Sequence, residues 1–506
     1  MHSAGEFLKS KSYFQLGILP TEQPNPVTRD LSEWSRTDLE KAIRTMQSVD
    51  ENALRKTAAL TSIAEEIRVD VASTFKNGGR IFICGCGATG RLALSLEYLW
   101  RRQNPGSEQV IAFMAGGDTA LVHSLEGFED FPERGARHLE ELGFREGDLL
   151  LSSSEGGETP YVIGATERAA EISKRSPYFL YCNPSQILQD NIERSREVIR
   201  SKKIKAREVF VGSMALSGST RMQASTALQL MLGLGLLMGP DADIQRRLQT
   251  WIDWYASEDL GFLKSFIAKE SETYQEGHRT IYKSDEFAIT VMTDTTERAP
   301  TFNLTPFDNQ MMSQSSPSLT YLMVNNTNDV QSSWKALLLR PPRPLNWPEV
   351  HMKATPSYLQ GFDFSQRALA FRKELLPKVE HRIFEIVREK TDLVWRFAGI
   401  ERRFPLLGGS ELFYHLTLKM ILNIHSTLVM GRMGRYESNV MTWVYPSNGK
   451  LVDRAARYSI LLLERSGMKN IDYDEVVRIQ FEVKKNLLSS ESIVIRTADI
   501  YREQNV

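Results

Sequence analysis

Apolar residues recur every three or four positions through LSEWSRTDLEKAIRTM and again through NALRKTAALTSIAEEIRVDVAST, the period of helices that bury one face. From Gly79 the pattern changes, and short apolar runs alternate with helical stretches. Strands are predicted at Arg80 to Cys84, Gln109 to Met114, Asp148 to Ser152, Tyr178 to Cys182 and Glu208 to Val211. Helices are predicted to begin near Gly90, Ala120, Pro160 and Pro184, with another after Ser219. This alternation predicts an α/β fold with a parallel, doubly wound, flavodoxin-like sheet, whose ligands gather at the carboxyl ends of the strands.

The helix TRMQASTALQLMLGLGLLMG stops at Gly239-Pro240, and DADIQRRLQTWIDWYASEDLGFLKSFIAKESETYQ reads as a helical connection. A second strand-rich region is expected to open at Glu286 with FAITVMTD, and long helices return with SQRALAFRKELLPKVEHRIFEIV and HLTLKMILNIHSTLVMGRMG. Between them SLTYLMV, ALLLR and PPRPLNWPEV are placed only loosely. The expected division is an N-terminal arm at 1–50, a first α/β domain at 51–258, a second, degenerate one at 259–465 and a helical tail at 466–506. The two α/β halves read as diverged copies of one architecture. The arm carries TEQPNPVT, whose two prolines hold it extended.

Composition narrows the function. A chain of 506 residues with a formal net charge of −1 lacks the basic excess of a nucleic-acid or anionic-membrane binder. No apolar run approaches the ~20 residues that span a bilayer, and the first residues lack the charged start and apolar core of a secretory signal. Three cysteines, Cys84, Cys86 and Cys182, fit a reducing compartment, and a cytoplasmic location is expected. Cys84 and Cys86 form C-x-C with no second ligand pair nearby in sequence, so no metal site is expected.

Gly85, Gly87 and Gly90 spell G-x-G-x-x-G between a strand and a helix, a turn whose open amides suit an anion. A dinucleotide reading needs an acid about twenty residues further on to hold a ribose. The second strand ends instead in MAGGD, with Asp118 28 residues past Gly90. Two more turns follow strands with hydroxyls and small residues: SSSEGGETP at 152–160 and LSGSTRM at 216–222. Three such turns from one sheet converge at one edge, which suits one phosphorylated small molecule. Candidate acid–base carboxylates near that edge are Glu97, Glu126, Glu129, Asp130 and, in the second half, Glu297. The histidines His123, His278, His351, His381, His415 and His425 stand apart, without H-E-x-x-H or G-x-S-x-G.

Taken in order, TEQPNPVT, GRIFICGCGATGRL, MAGGDTALVHSLEGFED, ETPYVIGA, CNPS, LSGSTRMQASTA, ERAPTF, and LNIHST with NGKLVDRA resemble the N-acetylmuramic acid 6-phosphate etherases and their relative, the glucokinase regulatory protein, all built on the sugar-isomerase (SIS) domain. The likeness covers 21 to about 240 almost continuously and returns at 286–305 and 420–460; 306–405 shows little of it.

The resemblance implies two SIS domains in tandem and a sugar-phosphate site. Gly87, Ala88, Thr89, Gly90, Ser153, Ser154, Ser217, Ser219 and Thr220 would hold the ligand with Asn448 and Lys450 of N-x-K-L. Glu129, in E-G-x-E-D, and Glu297, in E-x-x-P-T-F, would be the catalytic pair, Glu297 protonating the departing lactate oxygen. It implies a lyase that cleaves the lactyl ether of N-acetylmuramic acid 6-phosphate by elimination and hydration, with no metal or redox cofactor. Its alternative is a non-catalytic hexose-phosphate sensor that regulates a sugar kinase, and an aldose–ketose isomerase is a third option. The first half keeps the phosphate turns and the second keeps ERAPTF, so one composite site is expected, with a dead mirror-image partner. The chain departs from the etherase pattern at Ala88, Gly156, Glu158 and Gln223, which replace a hydroxyl residue, a serine, an arginine and a lysine.

Overall fold

The run IFICG is buried at all five positions, as a strand covered on both faces must be, and it forms an interior strand of a five-stranded sheet. The computed structural model describes residues 3–14, 16–125, 127–239, 241–312, 316–350, 352–406, 409–488 and 490–505. Before that strand come four helices, α1 (Ala4–Phe14), α2 (Leu31–Thr37), α3 (Leu39–Ala58) and α4 (Thr61–Lys76). Then β1 (Ile81–Gly85), α5 (Ala88–Gln103), β2 (Val110–Met114), α6 (Thr119–Val122), α7 (Pro132–Glu141), β3 (Leu149–Ser154), α8 (Pro160–Ile172), β4 (Tyr178–Tyr181), α9 (Ser185–Asn191), α10 (Glu193–Arg200), β5 (Lys205–Glu208) and α11 (Gln223–Leu237) alternate. The strands lie in the order β2-β1-β3-β4-β5, every neighbour parallel. This is the flavodoxin-like order, and its reversal at β1 and β3 opens a crevice at their carboxyl ends. The fifth strand falls earlier than Glu208 to Val211: the half-buried KARE pairs with β4 at the sheet edge, and of the run behind it the Val209 amide still donates to the Tyr181 carbonyl of β4 at 2.7 Å.

Two helices, α12 (Ile244–Ser257) and α13 (Leu263–Gln275), lead into the second half. It holds β6 (Arg279–Ser284), α14 (Ala288–Phe302), β7 (Thr320–Val324), α15 (Val330–Leu338), α16 (Pro356–Gln360), α17 (Ala368–Leu375), β8 (His381–Glu389), β9 (Asp392–Phe397) and β10 (Ile400–Pro405). After these come α18 (Glu411–Arg432), α19 (Gly449–Arg465), α20 (Tyr473–Asn486) and α21 (Ile493–Gln504). The sheet order is β10-β9-β8-β6-β7. Its β7-β6-β8 part is parallel and repeats β2-β1-β3 of the first sheet. Antiparallel β9 and β10 stand where β4 and β5 would be.

Two expectations fail in this half. FAITVMTD is not a strand but the start of α14, because RTIYKS before it supplies the strand and a short apolar run fits either state. The helix expected through SQRALAFRKELLPKVEHRIFEIV ends at Leu375, before Pro377; HRIFEIVRE then becomes β8, pairing with β6 from Arg279↔His381 to Ser284↔Ile386. The halves share one core. Every residue of α11 and nearly every residue of α18 is buried, with no polar face, as expected for helices enclosed by other helices: α11 by α3, α4, α5 and α18, and α18 by α2, α3, α11, α13 and α14. Among the described residues no helix is long and apolar enough to cross a membrane.

Candidate functional site

The glycine turn is built by packing and by backbone conformation. Gly87 has φ +54°, which favours glycine, and a Cβ at Gly90 would lie 2.5 Å from that of Met114. Gly87 caps α5 without a side chain, so the positive end of the helix opens on a cavity of about 180 Å³. Its walls come from both halves and include Gly87, Ala88, Ser219, Thr220, Glu129, Glu297, Asn448 and Lys450.

Glu129 accepts from Cys86 Sγ at 2.8 Å and from Asn448 Nδ2 at 3.4 Å. Asn448 also caps α19 through the Leu451 amide, which fixes its side chain at the site. Glu297 reaches the cavity from the third turn of α14 and pairs with Arg91 at 2.5 Å. The Nη2 of Arg91 and the Oγ of Ser219 are buried without hydrogen-bond partners among the described residues. Each is a donor that a ligand can engage.

Five expected ligand residues stand back from the cavity. Thr89 turns its hydroxyl into its own turn, accepting from the Cys86 amide and donating to the Cys86 carbonyl, both at 2.9 Å. Gly90 packs on Met114. Ser153 is buried in β3, and Ser154 bonds Thr159 at 2.9 Å. Ser217 donates to the Glu22 carbonyl at 2.8 Å, holding the N-terminal arm rather than a ligand. Glu126 and His351 lie outside the described residues. Asp118, weighed as a ribose-binding acid, is taken by Arg340 at 2.5 Å.

Four charged wall residues escaped the motif reading: Arg91, Glu155, Arg221 and Arg454. Arg91, Glu155 and Arg221 sit in GATGR, SSSEGG and LSGSTR, where a charged residue beside a small-residue turn was the available signal. Arg454, one turn beyond Lys450 in NGKLVDR, carried none. Each cation at the wall already has a carboxylate. Arg221 pairs with Asp294 at 2.8 Å, Lys450 with Glu158 at 2.7 Å and Arg454 with Glu22 at 2.6 Å. Glu158 therefore acts as a counter-ion in this chain. Burial pushes its pKa up, but Lys450 and Arg194 outweigh that and hold it down at about 2.

Glu22 binds the arm to the site by the same balance. Burial raises its pKa, Arg454 and Arg457 lower it further, and it falls from 4.5 to about 2. A carboxylate with a depressed folded-state pKa contributes stability in full above about pH 4.5 and loses it as pH falls toward 2. Replacing Glu22 by glutamine is expected to cost about 3 kcal/mol at pH 7 and to flatten the acid limb between those limits, read as urea midpoints against pH. An unchanged acid limb would remove Glu22 from this role.

The mirror position is closed. Glu97 is the tenth residue of α5, as Glu297 is the tenth of α14. Arg340 and Arg343, in the chain that leaves α15, pair with Glu97 at 3.0 and 2.8 Å, and the Arg343 amide donates to Asp118 at 2.7 Å. Leu345 covers Gly117, and Trp347 stacks on Phe128 with 5.6 Å between ring centres. The loosely placed PPRPLNWPEV is thus a strap laid by the second half across the first.

Fold and site together define a two-sheet α/β protein whose halves face one cavity. Its particular likeness is to the group of N-acetylmuramic acid 6-phosphate etherases and the glucokinase regulatory protein. Residues 62–170 match the family model of the glucokinase regulatory protein N-terminal SIS domain. An N-acetylmuramic acid 6-phosphate etherase of Actinobacillus pleuropneumoniae serotype 7 is 35% identical over 158 residues, which are 31% of this chain and 51% of the relative. Another, of Psychromonas ingrahamii, is 29% identical over 200 residues, 39% of this chain and 64% of the relative. The chain thus spans about half to two-thirds of the length of these curated relatives. Among solved structures, the C-terminal domain of glucosamine-fructose-6-phosphate aminotransferase from Francisella tularensis is similar at 12% identity and a TM-score of 0.35, covering 78% of this chain and 96% of that one. A likeness of that degree carries no functional argument.

Proposed function

We propose that this chain binds a phosphorylated amino sugar and cleaves the lactyl ether of N-acetylmuramic acid 6-phosphate. The observation that carries the reading is the placement of Glu129 and Glu297, from opposite halves, on the wall of one cavity beside the open N-terminus of α5. The phosphate lies against the Gly87 and Ala88 backbone, with Ser219, Thr220 and the free Nη2 of Arg91 as donors. The reaction is an elimination. Glu129 takes the proton from the carbon next to the masked aldehyde, the C3–O bond breaks, and Glu297 gives a proton to the departing lactate oxygen. Water then adds to the double bond. Asn448 and the Cys86 thiol hold Glu129 in place, and Arg91 fixes where Glu297 points.

Support comes from the etherase likeness of the first half and from the closed state of Glu97, which leaves one carboxylate pair facing one cavity. Incubation of the purified chain with N-acetylmuramic acid 6-phosphate is expected to release lactate, measured by an enzyme-coupled assay. Absence of lactate together with thermal stabilisation by fructose phosphates would carry the sensor alternative instead.

A further inference from the structure

The cavity has a third carboxyl group. Glu155 stands one residue beyond β3, in the turn before α8, and lines the same wall as Glu129 and Glu297. It is only 8% exposed, and its Oε1 has no hydrogen-bond partner among the described residues. A buried carboxyl oxygen without a partner is unfavourable in the empty protein. On a cavity wall the missing partner can come from a ligand.

The surroundings decide in which protonation state that happens. Burial raises the pKa of Glu155, and Glu297 on α14 adds to the rise. Its own backbone amide, Lys450 on α19 and Lys419 on α18 pull it back, leaving it at about 7. The Cys86 and Cys182 thiols, which also neighbour it, are kept neutral by their own burial. An ionised Glu155 would add negative charge to a site that receives a phosphate dianion. A protonated one offers a donor.

We propose that Glu155 touches the bound ligand and carries its proton when the site fills, its carboxyl O–H donating to an oxygen of the phosphosugar. This rests on the phosphosugar reading above. A bound anion holds the proton on Glu155, so ligand binding above neutral pH takes a proton up.

Isothermal titration with N-acetylglucosamine 6-phosphate, which has no ether to cleave, tests this between pH 6.5 and 8.5. Two buffers of different ionisation enthalpy report the proton count. Above pH 7 the phosphate is already largely a dianion, its second pKa being about 6, so the slope belongs to the protein. The wild-type Kd is expected to rise up to about tenfold per pH unit above neutrality, with up to one proton taken up per ligand. In Glu155→Gln most of that slope and uptake is expected to vanish while affinity at pH 6.5 stays within a few fold. Lys419, whose pKa burial lowers to about 7, supplies any slope the variant keeps. Equal slopes and proton counts in the two proteins overturn the role of Glu155 alone. No binding by the wild type at any pH overturns the phosphosugar reading along with it. The Tm of the variant, at or above that of the wild type, shows that it folds.

Discussion

Glu297→Gln is expected to lower lactate release from N-acetylmuramic acid 6-phosphate by about 10²- to 10⁴-fold, the usual worth of a positioned acid or base, while the ligand still binds. Glutamine keeps the shape of the side chain and an oxygen facing Arg91, but it has no proton to give to a leaving alkoxide. The proposed phosphate contacts at Gly87, Ala88, Ser219 and Thr220 are not touched by the change, and the neutral amide leaves the Nη2 of Arg91 in place as a donor. The variant therefore separates chemistry from binding: kcat falls and ligand-induced thermal stabilisation remains. Turnover within a few fold of wild type would remove Glu297 from the chemistry. Glu129→Gln is expected to move kcat in the same direction, since a split of acid and base between two carboxylates fails when either is lost.

Glu97→Gln, at the matching position of the other half, is expected to do the reverse. Glu97 is buried and holds Arg340, Arg343 and Arg101. Removing its charge leaves the buried guanidinium of Arg340 with Asp118 alone and takes a partner from Arg343, and breaking a buried pair on one side costs up to about 3–5 kcal/mol. Urea unfolding should show that loss, while lactate release per folded molecule stays near wild type. If Glu97→Gln instead abolished turnover at full stability, the mirror position would be a working site and the one-site reading would fail. The physical contrast is simple. Glu297 faces a cavity that a ligand can fill, whereas the equivalent cavity at Glu97 is filled by arginines from the strap.

The first half was legible because its chemistry is local. A strand, a small-residue turn and a helix follow one another within about twenty residues, three times over, and a parallel sheet brings all three turns to one edge. The second half was less so. FAITVMTD and HRIFEIVRE exchange roles because short β-branched runs fit helix and strand alike, and the choice falls to which segment pairs with β6. The same limit applies within the turns. That Thr89 serves its own turn and Ser217 serves the N-terminal arm depends on partners as near as Cys86 and as far as Glu22.

The sequence by itself determined the α/β alternation, the glycine turn at the head of α5, the likeness to the etherase group and the two carboxylates, because each is written in neighbouring residues. Tertiary structure alone decided which groups share the cavity. Glu129 and Glu297 stand far apart in the chain and meet because α11 and α18 pack the two halves around a common core. It also decided that Glu158, Glu22 and Asp294 occupy the cations of the wall, that Glu97 is sealed by Arg340 and Arg343, and that Glu155 is left facing the cavity with an oxygen unsatisfied. Charge pairing between distant segments follows from packing, and no local pattern of residue types encodes it.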